Sequence, residues 1–162
     1  MKQLLFIIIV TITLQISAQH NFIVKNNNLK WQLVVNDTTT ISSKNIYLKH
    51  QGFTTTTADG VIEFEKQFTL DDLKPFGYSW SSYPTYMQPG YYNGIIEFKD
   101  GKYRITITNI NVFYQPTNTH DNLGDFVVKK SSINAKKHHL KALQTFNDYF
   151  TELLTTTKVS DW

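Results

Sequence analysis

Residues 91–114 read YYNGIIEFKDGKYRITITNINVFY. Asp100-Gly101 at their centre is a two-residue turn signal, because a type I′ loop needs positive φ at both central positions and these residue types tolerate it. Folding the chain back there pairs Lys99 with Lys102, Phe98 with Tyr103, Glu97 with Arg104 and Ile96 with Ile105. In that register Ile96, Phe98, Tyr103, Ile105 and Ile107 share one face, while Glu97 and Arg104 make an opposite-charge pair on the other. Lys99 opposite Lys102 is mildly repulsive, but at an exposed tip the two long chains splay into water. A hairpin with one apolar and one polar face belongs to an antiparallel sheet covered on one side.

The same alternation recurs toward the N-terminus. Leu29, Trp31, Leu33 and Val35 share one face of a strand, with Lys30 and Gln32 on the other. The short apolar run Phe22-Ile23-Val24 precedes it across the turn signal Asn26-Asn27-Asn28. Thr54 to Thr57 and Asp59-Gly60 lead into Val61 to Phe68, where Ile62 and Phe64 oppose Glu63 and Glu65. Between these strands Ser42 or Ser43 is positioned to cap a short helix that runs to Gly52, with Ile46, Tyr47 and His50 partly on one side. Asn45 to Lys49 would also pass as a strand.

Beyond the hairpin, Pro116 to Gly124 is a polar connection, and Phe126-Val127-Val128 reads as one more edge strand. From about Ala135 the period changes. Leu140, Leu143, Phe146, Phe150, Leu153 and Leu154 recur every three or four residues and predict a helix ending near Thr156. Ser132 or Asn134 is placed to cap it, although Lys136 and Lys137 oppose the helix dipole in the first turn. The order of elements predicts an α+β domain, an antiparallel sheet packed on a short helix and a long C-terminal helix.

The N-terminus has the layout of a signal peptide. Lys2 supplies a positive charge, Leu4 to Leu14 is apolar, and Ala18 offers a small-residue cleavage site before Gln19. The apolar run is shorter than a spanning helix requires. Residues 1–18 are therefore expected to be removed, leaving 19–162 as a single exported domain with no membrane span, in the periplasm or outside the cell. The chain contains no cysteine, so disulfides, thiolate metal ligands and lipoprotein anchoring are all excluded. With 16 Lys and Arg against 13 Asp and Glu, the charge balance implies no polyanionic partner.

The segments Phe76-Gly77-Tyr78, Tyr83-Pro84-Thr85-Tyr86 and Gly94 to Thr106 resemble a family of bacterial secreted proteins described only as a domain of unknown function with a TBP-like fold. Trp31 to Val35 is similar to the first strand of such domains, and the likeness spans most of Leu29 to Leu154. It implies a curved antiparallel sheet, a short helix after the first strand and a long C-terminal helix. It implies no activity and no catalytic residues. A sheet of this kind can saddle DNA, but export and near-neutral charge argue against nucleic acid.

Few residues invite chemistry. His20, His50, His120, His138 and His139 show no metal-ligand spacing, and adjacent His138 and His139 point about 100° apart on a helix. They are expected to be exposed polar residues. No Gly-x-Ser-x-Gly elbow and no phosphate-binding glycine loop occurs. Asp71-Asp72 reads as the start of a turn or helix, and Glu63 with Glu65 as a solvated strand face. No catalytic residue, metal or cofactor is expected. The aromatic stretch Tyr78, Trp80, Tyr83, Tyr86, Tyr91 and Tyr92 is the best binding candidate, since such rings combine contact area with a polar handle; the alternative is that they cover the sheet. The preferred reading is a non-catalytic binding module with a protein or glycan partner. The alternatives are a small hydrolase-like enzyme and a structural subunit that pairs through a sheet edge.

Overall fold

The computed structural model describes residues 21–78, 90–114 and 118–156. The expected signal peptide and the candidate residues Trp80, Tyr83 and Tyr86 lie outside these. Strands β1 (Phe22–Lys25), β2 (Asn28–Asn36), β3 (Thr54–Ala58), β4 (Val61–Phe68), β5 (Gly90–Lys99), β6 (Lys102–Tyr114) and β7 (Thr119–Asn122) form one antiparallel sheet. Its order is β1-β2-β6-β5-β4-β3, with β7 pairing the far half of β6. A separate small ribbon joins β8 (Val128–Lys129) to β9 (Ser132–Ile133).

Tight turns set the registers. Asn26-Asn27, Asp59-Gly60 and Asp100-Gly101 all take positive φ and close two-residue hairpins. The central hairpin pairs Lys99 with Lys102, Phe98 with Tyr103 and Glu97 with Arg104, as its sequence predicts. The register then shifts at Asn93/Gly94. Up to Gly94↔Ile107 the two-residue register holds, but Asn93 pairs with Asn109, so Thr108 is an extra residue on β6. This bulge turns Ile110 and Val112 into the core beside Ile105 and Ile107. Without it they would face solvent and Asn109 and Asn111 would be buried.

The helices cover one face of the sheet. α1 (Ile41–His50) starts at Thr40, whose Oγ1 accepts from the Ser43 amide, and not at Ser42 or Ser43. Its buried side is Lys44, Tyr47 and Leu48, while Ile46 and His50 are exposed. A one-turn helix α2 (Leu70–Leu73) follows β4, with Asp72 bonded back to the Thr69 amide, and a 3₁₀ turn Lys74–Phe76 ends at left-handed Gly77. Phe126 and Val127 do not form an edge strand. They belong to a short helix α3 (Leu123–Val127) capped by Asn122, because Leu123 and Val127, four apart, bury together; only Val128 passes into β8.

The long helix α4 (Lys137–Thr155) has Lys136 at its N-cap and no side-chain cap; Ser132 is held in β9 instead. Its buried face is wider than the apolar stripe suggests and is rotated by about one position. His139, Ala142, Thr145 and Tyr149 are buried, whereas Leu140 is exposed. His139 is therefore not the exposed residue its sequence implied. Phe146, Tyr149 and Phe150 meet Phe68, Tyr92 and Trp31 from the sheet in a web of mostly edge-on ring contacts. Rings in this geometry add to the burial energy of a small core.

Candidate functional site

Because side chains alternate across a strand, burying Trp31, Ile62, Phe64, Ile96 and Ile105 leaves their neighbours on the face that no described helix covers, here called the uncovered face, where Thr106 is nonetheless buried. The pairing registers line these neighbours up in rows. One row runs Thr54, Glu65, Asn93 and Asn109; the next runs Thr56, Glu63, Ile95, Thr106 and Gln32. Hydrogen bonds tie the strands together across this face. The Asn109 side-chain amide donates to Asn93 Oδ1 at 3.0 Å, and Gln32 Nε2 donates to Thr106 Oγ1 at 3.1 Å. Arg104 reaches Glu97 through two bonds, at 2.9 and 3.0 Å. Such an exposed pair contributes at most about 1 kcal/mol. A shallow groove of about 340 Å³ runs over the first two rows, bounded by Thr54, Thr56, Glu63, Glu65, Asn93 and Thr108. Beneath it Gly94 faces the core: a Cβ there would stand 2.2 Å from the Thr106 carbonyl oxygen and 2.8 Å from Phe64 Cζ.

At the end of the same face stand three rings. The His120 imidazole lies 5.6 Å from the Tyr91 ring and 5.4 Å from that of Phe113, centroid to centroid. Phe113 pairs with His120 across β6 and β7, and Tyr91 is the second residue of β5, two strands from β7. Tyr91 and Phe113 are half-buried and His120 is exposed. The face thus offers amides, hydroxyls and carboxylates in rows, with an aromatic ledge at one end.

Of the residues the sequence nominates, the structure sends Tyr91 to this ledge and Tyr92 to the core. Tyr92 is fully buried among Phe53, Phe64, Phe68, Tyr149 and Phe150. Tyr78 is half-buried and packs against the core after the 3₁₀ turn. Phe113 was missed by the sequence reading, and His120 was noted only as a histidine. The signal that could have found them is their place in a strand pairing, which appears only once β7 is known to exist.

The buried groups whose proton affinity the fold alters sit on the opposite, helical side. Burial pulls the Lys44 ammonium down to about 8, opposed by the Asp37 carboxylate. Burial pushes the Tyr103 and Tyr149 hydroxyls up to about 12 and raises that of Tyr92. It also lowers His139, helped by the neighbouring charge of His138. Lys44 Nζ donates to the carbonyls of Leu154 and Thr156, at 2.6 and 3.2 Å, and more weakly to the Tyr103 hydroxyl at 3.4 Å. That arrangement ties α1 to the C-terminal end of α4, where the helix dipole is negative. Among the described residues no group of three His, Asp or Glu side chains is placed to hold a metal ion. No described helix is long and apolar enough to cross a membrane.

The architecture is that of a TBP-like α+β fold. A TBP-like protein from Parabacteroides distasonis superimposes over 85% of this chain and 97% of its own, with TM-score 0.56 at 15% sequence identity. A DUF4468 family protein from Bacteroides ovatus aligns over 85% and 92%, with TM-score 0.45 at 12% identity. No protein-family profile matches the chain, and no curated protein matches it in sequence. At 15% identity the likeness to the Parabacteroides distasonis protein establishes the fold, which carries no activity with it.

Proposed function

We propose that the protein is an exported, non-catalytic binding module of the bacterial envelope that holds a glycan on the uncovered face of its sheet. The observation that carries this is the Tyr91–His120–Phe113 ledge at the end of a groove walled by Glu63, Glu65, Asn93 and Thr54. Sugar rings present apolar C–H faces that stack on aromatic rings, together with hydroxyls that pair with carboxylates and amides. The uncovered face supplies both within one surface, and the buried groups with altered proton affinity lie on its other side. Export rests on Lys2, the apolar run Leu4 to Leu14 and Ala18. It is checked by sequencing the N-terminus of the protein from fractionated cells, where Gln19 is expected first; a chain that retains Met1 in the cytoplasm rejects it.

The binding test is an array of envelope polysaccharide fragments, followed by calorimetric titration of any hit with wild type and with Tyr91→Ala/Phe113→Ala. Each lost ring contact is worth about 1 kcal/mol. The double variant should therefore bind about tenfold or more weakly while unfolding at the wild-type temperature. A folded double variant of unchanged affinity rejects this face as the binding surface.

A further inference from the structure

The two edges of the sheet are treated differently. β1 carries Lys25 and lies beside β9, and Ser131 Oγ donates to Asn27 Oδ1 at 2.6 Å, so loop and ribbon close over its turn. Among the described residues no strand or loop closes over β3, although α1 packs beside it. The strand reads Thr-Thr-Thr-Thr-Ala over Thr54–Ala58, exposed at every position but Thr55. It holds no charge, no proline and no bulge in its register with β4. Soluble proteins normally blunt an open edge with one of these devices, because its free N–H and C=O groups invite another strand. Threonine is moreover a strong strand former.

We infer that β3 is a self-association edge, pairing antiparallel with β3 of a second copy of this chain about a two-fold axis near Thr56. The edge itself is a different surface from the groove, although Thr54 and Thr56 border both. A second copy fits because the edge is uncharged and therefore self-complementary, so an isologous contact meets no like charge. The nearest carboxylates, Glu63 and Glu65, sit one strand in. Across the joint they would be about three strand spacings, roughly 14 Å, from their counterparts, which exceeds the screening length of about 8 Å at physiological salt. On the helical side α1 overhangs the same edge, with Asn45 Oδ1 accepting from Thr55 Oγ1 at 2.6 Å. The next residue, Ile46, is 52% exposed, an aliphatic side chain on the helix beside the open strand.

The test is sedimentation of the purified protein over a concentration series, compared with Thr54→Lys/Thr56→Lys. Wild type should rise from the mass of one chain to that of two, and the lysine variant should stay at one. Because Thr54 and Thr56 pair with Glu65 and Glu63, the lysines find intramolecular partners and the fold should survive. A second measurement uses the absence of cysteine in the chain. Thr56→Cys under mild oxidant should form a disulfide dimer at least tenfold faster than Ile23→Cys on the guarded edge, since opposed strand residues lie within disulfide reach. A wild type that keeps the mass of one chain throughout, or equal cross-linking rates at the two edges, overturns the inference. So does a single-chain protein whose β3 edge takes up only foreign peptides.

Discussion

Lys44 sits with its ammonium against the C-terminal carbonyls of α4 and between two tyrosine rings, 5.0 Å from that of Tyr47 and 5.1 Å from that of Tyr103. A lysine in a short helix reads as a solvated residue, because nothing local announces that another helix will end above it. Its burial predicts a pH dependence. Its folded-state pKa of about 8 lies below the ordinary 10.5. Below about pH 8 the proton is held in both folded and unfolded states, and the desolvation penalty is fully felt. Between there and the unfolded value the unfolded chain binds the proton the folded chain has released, so stability rises with pH. Tyr103 and Tyr149, raised to about 12, act oppositely; their contribution is complete below about pH 10 and is lost above it. Urea unfolding of wild type should therefore show a gain of about 2 kcal/mol between pH 8 and about 9.5. Lys44→Met should remove that gain. A flat wild-type profile would show instead that the carbonyl contacts keep the ammonium charged.

Within single elements, the β6 bulge shows how a pattern can be present without being readable. Its apolar residues run Ile105, Ile107, then Ile110 and Val112, a period of two with one skipped beat. The skip acquires meaning only when Gly94 on β5 gives the partner backbone room to approach. Gly94→Ala should lower stability by about 2 kcal/mol or more, because a methyl group 2.2 Å from a strand carbonyl forces the ladder apart. Equilibrium unfolding measures it, and a loss under 0.5 kcal/mol would mean that the strands separate freely here. The hairpin tip was legible because turn chemistry is local. The helix ends were less so. Thr40 replaces the expected serines by two or three residues, and α4 begins at Lys137 behind an N-cap at Lys136, since β9 claims Ser132. Phe126-Val127-Val128 misread as a strand because a short apolar run carries no period of its own.

At the scale of the whole fold, one sheet face is closed by helices and the other carries none among the described residues, and the two faces contain different chemistry. Alternation along β2, β4 and the halves of β5 and β6 next to their turn was enough to separate the two sets of residues before any pairing was known. Strand order was not. Nothing in β2 says that it pairs with β6, or that β4 lies between β3 and β5, because those contacts join residues far apart in sequence. The TBP-like α+β architecture was nevertheless reached from the sequence, through the hairpin residues and the closing helix. By itself the sequence determined the turns, the two-faced strands and the amphipathic C-terminal helix, since each depends on neighbours within a few residues. Only the tertiary structure decided that Tyr92 is core while adjacent Tyr91 is surface, that Lys44 is buried, that His120 meets Tyr91 and Phe113, and that β3 is the outermost strand of the described sheet. Each of these depends on which distant element packs where, and that is settled by the joint burial of the whole apolar face, not by any local preference.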